Sequence, residues 1–200
     1  MAITIFSLLV LLFSTMIHEI AHGSVAYYLG DGTAKREGRL TLNPLKHLDP
    51  IGSVLVPLSL FIFTGGQGPI FGWAKPVPVN PYNLRDQKWG SVKVSLAGAA
   101  TNIIIGIVFG LLCRFFILPT AVFRLFSIII IYNFAWAIFN LLPIPPLDGH
   151  WILFALLPAR WQGLMEFLKR YGHFILIIFI FSGIHWIYQA AELLYRLICG

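Results

Sequence analysis

The sequence predicts an all-α polytopic membrane protein with about four to six transmembrane helices, one re-entrant or hairpin segment and one proline-broken helix. Three observations carry this. The chain is 58% hydrophobic and only 11% charged, whereas a soluble domain typically carries about 25% charged residues. Apolar runs long enough to cross a bilayer recur at residues 2–29, 92–117, 122–142 and 172–190. The polar stretches between them are too short to form a soluble domain, so residues 1–200 read as a single integral-membrane domain.

The first run, 2–29, spans roughly 40 Å as a helix and stops at Gly30-Asp31-Gly32. It reads as a span rather than a cleaved leader, because no basic residue precedes it. The loop 30–50 is basic, and Arg39-Leu40-Thr41-Leu42-Asn43-Pro44 alternates weakly, as a short strand or hairpin would. Residues 51–64 are apolar but short, contain Pro57 and end at Gly65-Gly66, which suits a re-entrant segment. The loop 65–90 is rich in glycine and proline. The second span, 92–117, holds the small-residue stretch Gly98-Ala99-Ala100-Thr101-Asn102, suited to close helix contact. The third, 122–142, breaks at Pro143-Ile144-Pro145-Pro146. A short apolar segment, 150–157, precedes the last span. Trp73, Trp89, Trp151 and Trp186 are placed as interfacial anchors.

Positive charge orients these spans. With 51–64 re-entrant, Lys35, Arg36, Arg39, Lys46, Lys75, Arg85, Lys88, Lys93, Arg160, Lys169 and Arg170 share one side, and Arg114, Arg124 and Arg196 the other. With 51–64 crossing, the asymmetry vanishes. The re-entrant version puts the basic loops in the cytosol. The net charge of +6 is thereby used, and nucleic acid is excluded as a partner because no basic cluster is dense enough. Cys113 and Cys199 have neither the number nor the spacing of a disulfide framework or thiolate metal site.

Residues 18–22 read His18-Glu19-Ile20-Ala21-His22, inside the first span. On a helix, residues four apart are neighbours, so His18 and His22 can share one Zn²⁺, with Glu19 as general base on a water. Polar groups in such surroundings are costly unless they serve a site. A catalytic zinc usually has three protein ligands. The best third candidate is Asp148 in Leu147-Asp148-Gly149, just past the proline break and at the same membrane face. Gly149 is read as allowing a sharp turn there.

Together, His18-Glu19-Ile20-Ala21-His22 and Asn140-Leu141-Leu142-Pro143-Ile144-Pro145-Pro146-Leu147-Asp148-Gly149 resemble the site-2 protease family of intramembrane zinc metalloproteases, peptidase family M50. The likeness covers most of the chain to about residue 158, including Gly98–Asn102 and the Gly72–Pro81 loop. It departs at Ala99, where the family often has proline, and at His150, where a second glycine is common. No PDZ or CBS domain is inserted in the matching stretch, so it looks like a minimal form of the family. The resemblance implies one Zn²⁺ per chain on His18, His22 and Asp148, a catalytic Glu19, and substrate held near Asn140. Asn102 and His150 are further candidates for substrate or oxyanion contact, or for a purely structural role. The implied activity is cleavage of transmembrane segments by Glu-assisted attack of a zinc-activated water. The implied partners are a single-span membrane-protein substrate and the lipid bilayer, with a homo-oligomer left open. The implied place is the plasma membrane of a prokaryote, with the site toward the cytosol. The loops 30–50 and 65–90 are candidates for gating or for pairing with an unwound substrate. A zinc transporter would instead need ligands staged along a path, and a binder that does not cut would not need Glu19.

Overall fold

The computed structural model describes residues 2–65 and 75–200. Among the described residues seven α-helices follow one another: α1 Ala2–Tyr28, α2 Thr33–Arg36, α3 Val56–Phe63, α4 Gln87–Phe115, α5 Thr120–Asn140, α6 Gly149–Leu156 and α7 Gln162–Cys199. Four of these, α1, α4, α5 and α7, are long and apolar enough to cross a membrane among the described residues. The chain is an integral, multi-pass membrane protein, all-α as expected.

The element boundaries shift for local reasons. Helix α4 begins at Gln87, five residues before the apolar run, because the Asp86 carboxylate caps it by accepting from the Lys88 and Trp89 amides. Helix α7 extends well past the predicted 172–190 at both ends, since its flanking turns contain no helix-breaking proline and carry an amphipathic pattern that hydropathy alone underweights. The strand or hairpin expected at 39–44 is not formed. Thr41 Oγ1 accepts from the Asn43 amide and Asn43 Oδ1 from the Leu45 amide, so side chains satisfy the backbone locally and a 3₁₀ turn follows at Pro44–Lys46. Residues Pro50–Leu55 form a π-helical turn that leads into α3. The helical stretch Pro50–Phe63 is shorter than a span, consistent with the re-entrant reading. Of the Gly72–Pro81 loop, residues 72–74, including Trp73, lie outside the described residues.

Helix α4 is the spine of the bundle. It packs on α1, α5, α6 and α7, and its glycines let the neighbours approach. A Cβ at Gly106 would lie 2.5 Å from the Phe134 ring, and one at Gly110 2.6 Å from Ile198. The apolar core at this end gathers Cys113, Ile130, Phe134 and Ala191 from three helices. Arg114 Nη1 donates to the Leu197 and Ile198 carbonyls, which ties α4 to the C-terminus of α7, where a cation suits the helix dipole.

Candidate active site

The site forms where the C-terminal parts of α1 and α5 meet the N-terminal half of α4. Ser14, His18 and His22 repeat every four residues and so share one face of α1; all three are buried. The opposing face of α4 carries Ser91, Ser95, Gly98 and Asn102, again at three- and four-residue steps, and Gly98 decides how close the helices come. A Cβ there would sit 2.6 Å from atoms of both the His18 and His22 rings. The histidine rings meet edge to face, with centroids 4.5 Å apart.

Asp148 arrives from the other side. Helix α5 ends at Asn140, and the run Leu141–Asp148 turns back so that α6 starts at Gly149. Gly149 has no positive φ, so it is not needed for the sharp turn expected of it. It is needed for space: a Cβ would collide with the carbonyl oxygens of Leu141 and Leu142. Ser95 donates its hydroxyl to the Asp148 carbonyl. The Asp148 Oδ2 atom then lies 2.9 Å from His18 Nε2 and 3.1 Å from His22 Nε2.

These donor atoms fit a metal. His18, His22 and Asp148 offer ligand atoms within 4.8 Å of one another, and they are the one such cluster among the described residues. Zinc–ligand bonds of about 2.0–2.1 Å put tetrahedral ligand atoms roughly 3.3 Å apart, close to the separations observed. The far side of each ring settles the tautomer. Asn102 Nδ2 donates to Ser14 O and to Asn133 Oδ1, so its Oδ1 faces His18 Nδ1 as an acceptor at 2.7 Å. His22 Nδ1 likewise donates to Val94 O at 2.6 Å. Each Nδ1 therefore carries the proton and each Nε2 keeps its lone pair for a cation.

Glu19 sits on the same turn of α1. Its Oε2 accepts from the Val77 amide at 2.8 Å. Glu19, both histidines, Asp148, Asn140, Val77 and Trp151 line one cavity of about 310 Å³. Trp151 thus belongs partly to the site rather than serving only as an interfacial anchor. Asn140 is buried and donates Nδ2 to Trp136 O.

Two candidates lie elsewhere. Asn102 is fully buried behind His18, does not line the cavity and holds the His18 ring through Nδ1. His150 donates Nδ1 to Leu147 O and packs against Trp151 and Phe154, also away from the cavity. Sequence reasoning missed Val94, Ser95, Asn133 and Val77. The Ser91/Ser95/Asn102 stripe on α4 is a readable signal for Ser95; Asn133 on α5 carries no such signal, and Val94 and Val77 act through backbone atoms that no side-chain pattern announces.

The profile of Peptidase family M50 matches residues 117–183. The Bacillus subtilis (strain 168) protein named "Putative zinc metalloprotease YwhC" is 38% identical over 182 residues, covering 84% of this chain and 76% of the relative. "Putative zinc metalloprotease Rip2" of Mycolicibacterium smegmatis is 34% identical over 86% of this chain and 64% of its own length. Rip2 of Mycobacterium tuberculosis (strain H37Rv) is 27% identical over 93% and 74%, respectively. No solved structure matches significantly. A cluster of two histidines and an aspartate with metal-binding tautomers, a glutamate beside it and relatives carrying these names converge: the chain belongs to peptidase family M50 and is a zinc metalloendopeptidase.

Proposed function

We propose that this enzyme cleaves transmembrane segments of single-span proteins inside the bacterial plasma membrane, with its site toward the cytosol. The observation that carries the reading is that His18, Glu19 and Asp148 face one cavity among helices long enough to span a bilayer. The basic segments 30–50 and 75–93 meet at the end of α1 that carries the site, Arg39 and Asp31 bonding to residues 75–80 and Val77 to Glu19, which supports the cytosolic assignment.

In this reading the two histidine Nε2 atoms and an Asp148 oxygen hold the zinc. Bound zinc supplies the Lewis acidity that makes a water nucleophilic near neutral pH. Glu19 takes the proton of the attacking water and delivers it to the leaving amide nitrogen. Asn102 and Val94 keep both rings in the ligating tautomer throughout. Asn140 offers a polar side chain to a substrate backbone that has unwound, since a helical amide is occupied by its own i−4 bond. All of these residues come from one chain, so the chemistry does not require a homo-oligomer.

The test is quantitative membrane proteomics on host cells carrying wild type or Glu19→Gln. Single-span fragments that accumulate only with Glu19→Gln support the proposal and name the substrates. An unchanged membrane proteome, with full zinc in both proteins, overturns it. A zinc transporter is disfavoured because no second ligand cluster lies along a path among the described residues, and zinc flux into proteoliposomes would revive it.

A further inference from the structure

The loop after α1 buries three polar side chains that the reaction does not use: Asp31 and His47, fully buried, and Arg39, 6% exposed. Their hydrogen bonds, from side chain or backbone, converge on one segment, residues 75–83. Asp31 Oδ2 accepts from the Asn80 amide at 2.6 Å and Oδ1 from Asn83 Nδ2 at 2.9 Å. Thr33 closes the same carboxylate with its amide and hydroxyl, and the Asp31 amide is itself fixed to Ala26 O of α1. At the other end of the segment, Arg39 Nη2 donates to Lys75 O at 2.7 Å and to Pro76 O at 3.2 Å. The His47 carbonyl accepts from the Lys75 amide.

Between these two anchor points lies Pro76-Val77-Pro78. Neither proline has an N–H, and both rings stiffen the backbone. Val77 therefore owns the one amide of the triplet, and that amide donates to Glu19 Oε2. The Val77 side chain is buried against Gly23 of α1, where a Cβ would come 2.7 Å from Val77 Cγ1. A backbone held at both ends thus presents a single donor to the glutamate next to a metal ligand. Ordinary loop burial does not demand that geometry. Loops normally leave their backbone to water, and a charge buried on purpose needs partners.

We propose that Asp31 and Arg39 are positioning residues for the general base: they clamp residues 75–83 so that the Val77 N–H fixes the Glu19 carboxylate in its working orientation. The proposal rests on the proteolytic reading of Glu19. One carboxylate oxygen is taken by Val77, which leaves the other for the water. Releasing the clamp frees the glutamate to rotate without touching the zinc ligands.

The full-length enzyme, reconstituted with a single-span fragment that accumulates under Glu19→Gln, gives the readout. Zinc content, kcat and KM are measured for Asp31→Ala, Asp31→Asn, Arg39→Ala, Val77→Pro and Val77→Ala. Val77→Pro removes the N–H and Val77→Ala keeps it. The proposal expects kcat to fall by about tenfold to a hundredfold in Asp31→Ala and Val77→Pro, the worth of a hydrogen bond to a charged group. Zinc content stays at wild-type level and KM changes little. Asp31→Asn, which keeps an acceptor oxygen, recovers part of the loss, and Val77→Ala stays several-fold above Val77→Pro. Because Asp31 acts through the Val77 amide, the double variant Asp31→Ala/Val77→Pro loses no more than the worse single one.

Additive losses, a fall in zinc content that parallels the fall in kcat, or equal activities for Val77→Pro and Val77→Ala each overturn it. Should Asp31→Ala fail to fold, the Val77 pair and Asp31→Asn decide alone. Glu19→Gln separates the two levels. If that variant cleaves normally, the proteolytic reading falls. If it is dead while Val77→Pro is fully active, only the positioning role falls.

Discussion

Gly98→Ala tests the metal site with one methyl group placed where no ligand is altered. The added carbon would lie 2.6 Å from His18 Cε1, His18 Nε2 and His22 Cε1, whereas ordinary contact begins at 3.4 Å. The rings must therefore retreat by about 0.8 Å to reach ordinary contact, or α1 and α4 must separate by a similar amount. Metal–ligand distances tolerate about 0.2 Å. Neither ring can pivot freely, because His18 is tied to Asn102 and His22 to Val94. Loss of such outer support alone costs roughly 10–100-fold in metal affinity, so at least tenfold is expected here, measured by competition with a chromophoric chelator. Gly106→Ala is the matched control. It clashes with Phe134 at 2.5 Å, about 12 Å further along the same helix. Overpacking there costs about 1–3 kcal/mol of stability and leaves zinc affinity near wild type. If Gly98→Ala binds zinc as tightly as wild type, or loses no more than Gly106→Ala, the histidines do not ligate as argued.

Four further outcomes follow from the same geometry. Glu19→Gln keeps about one zinc per chain and loses at least 10²-fold in cleavage rate, the usual worth of a general base; metal analysis beside fragment cleavage checks both. Asn102→Ala strips His18 Nδ1 of its acceptor and leaves Asn133 Oδ1 facing an empty space, so zinc affinity drops about 10–100-fold in the same chelator competition. Removing zinc with a chelator lowers the unfolding temperature, and re-adding free zinc at 100 times its Kd restores about 2.7 kcal/mol, read by thermal unfolding in detergent. For Asp31, burial raises the carboxyl, but hydrogen bonds from Asn83, Thr33 and the Asn80 amide outweigh it and hold the pKa below the ordinary aspartate value. A depressed native pKa gives stability that is present above the unfolded value of about 3.9 and lost as pH falls through the native one. The stability gap between wild type and Asp31→Asn therefore closes on acidification below about pH 4, and a gap that widens there contradicts it.

The parts that were legible in the sequence are those written in side chains at fixed spacing. His18 and His22 announce themselves because a four-residue step on a helix has one geometric meaning, and Asp148 because a proline break in an apolar chain must line something. The four long helices follow from hydropathy in the same way, as does the shortness of Pro50–Phe63. What was not legible depends on backbone atoms and on space. Val94 holds His22 through a carbonyl, and Val77 holds Glu19 through an amide; any residue type supplies either group, so composition is silent about them. Gly149 illustrates the second kind. It reads as a conformational hinge, yet its φ is not positive and it is required because two carbonyls of the broken helix end occupy the space a Cβ would need. Asp31 and Arg39 illustrate a third. In sequence they look like solvated loop charges, and the clue lies some way along the chain in Pro76-Val77-Pro78, where two missing amides make the remaining one valuable. A charged residue in a loop of a membrane enzyme is therefore best judged by which distant backbone it could satisfy, and here that backbone leads directly to Glu19, the general base of the proposed reaction.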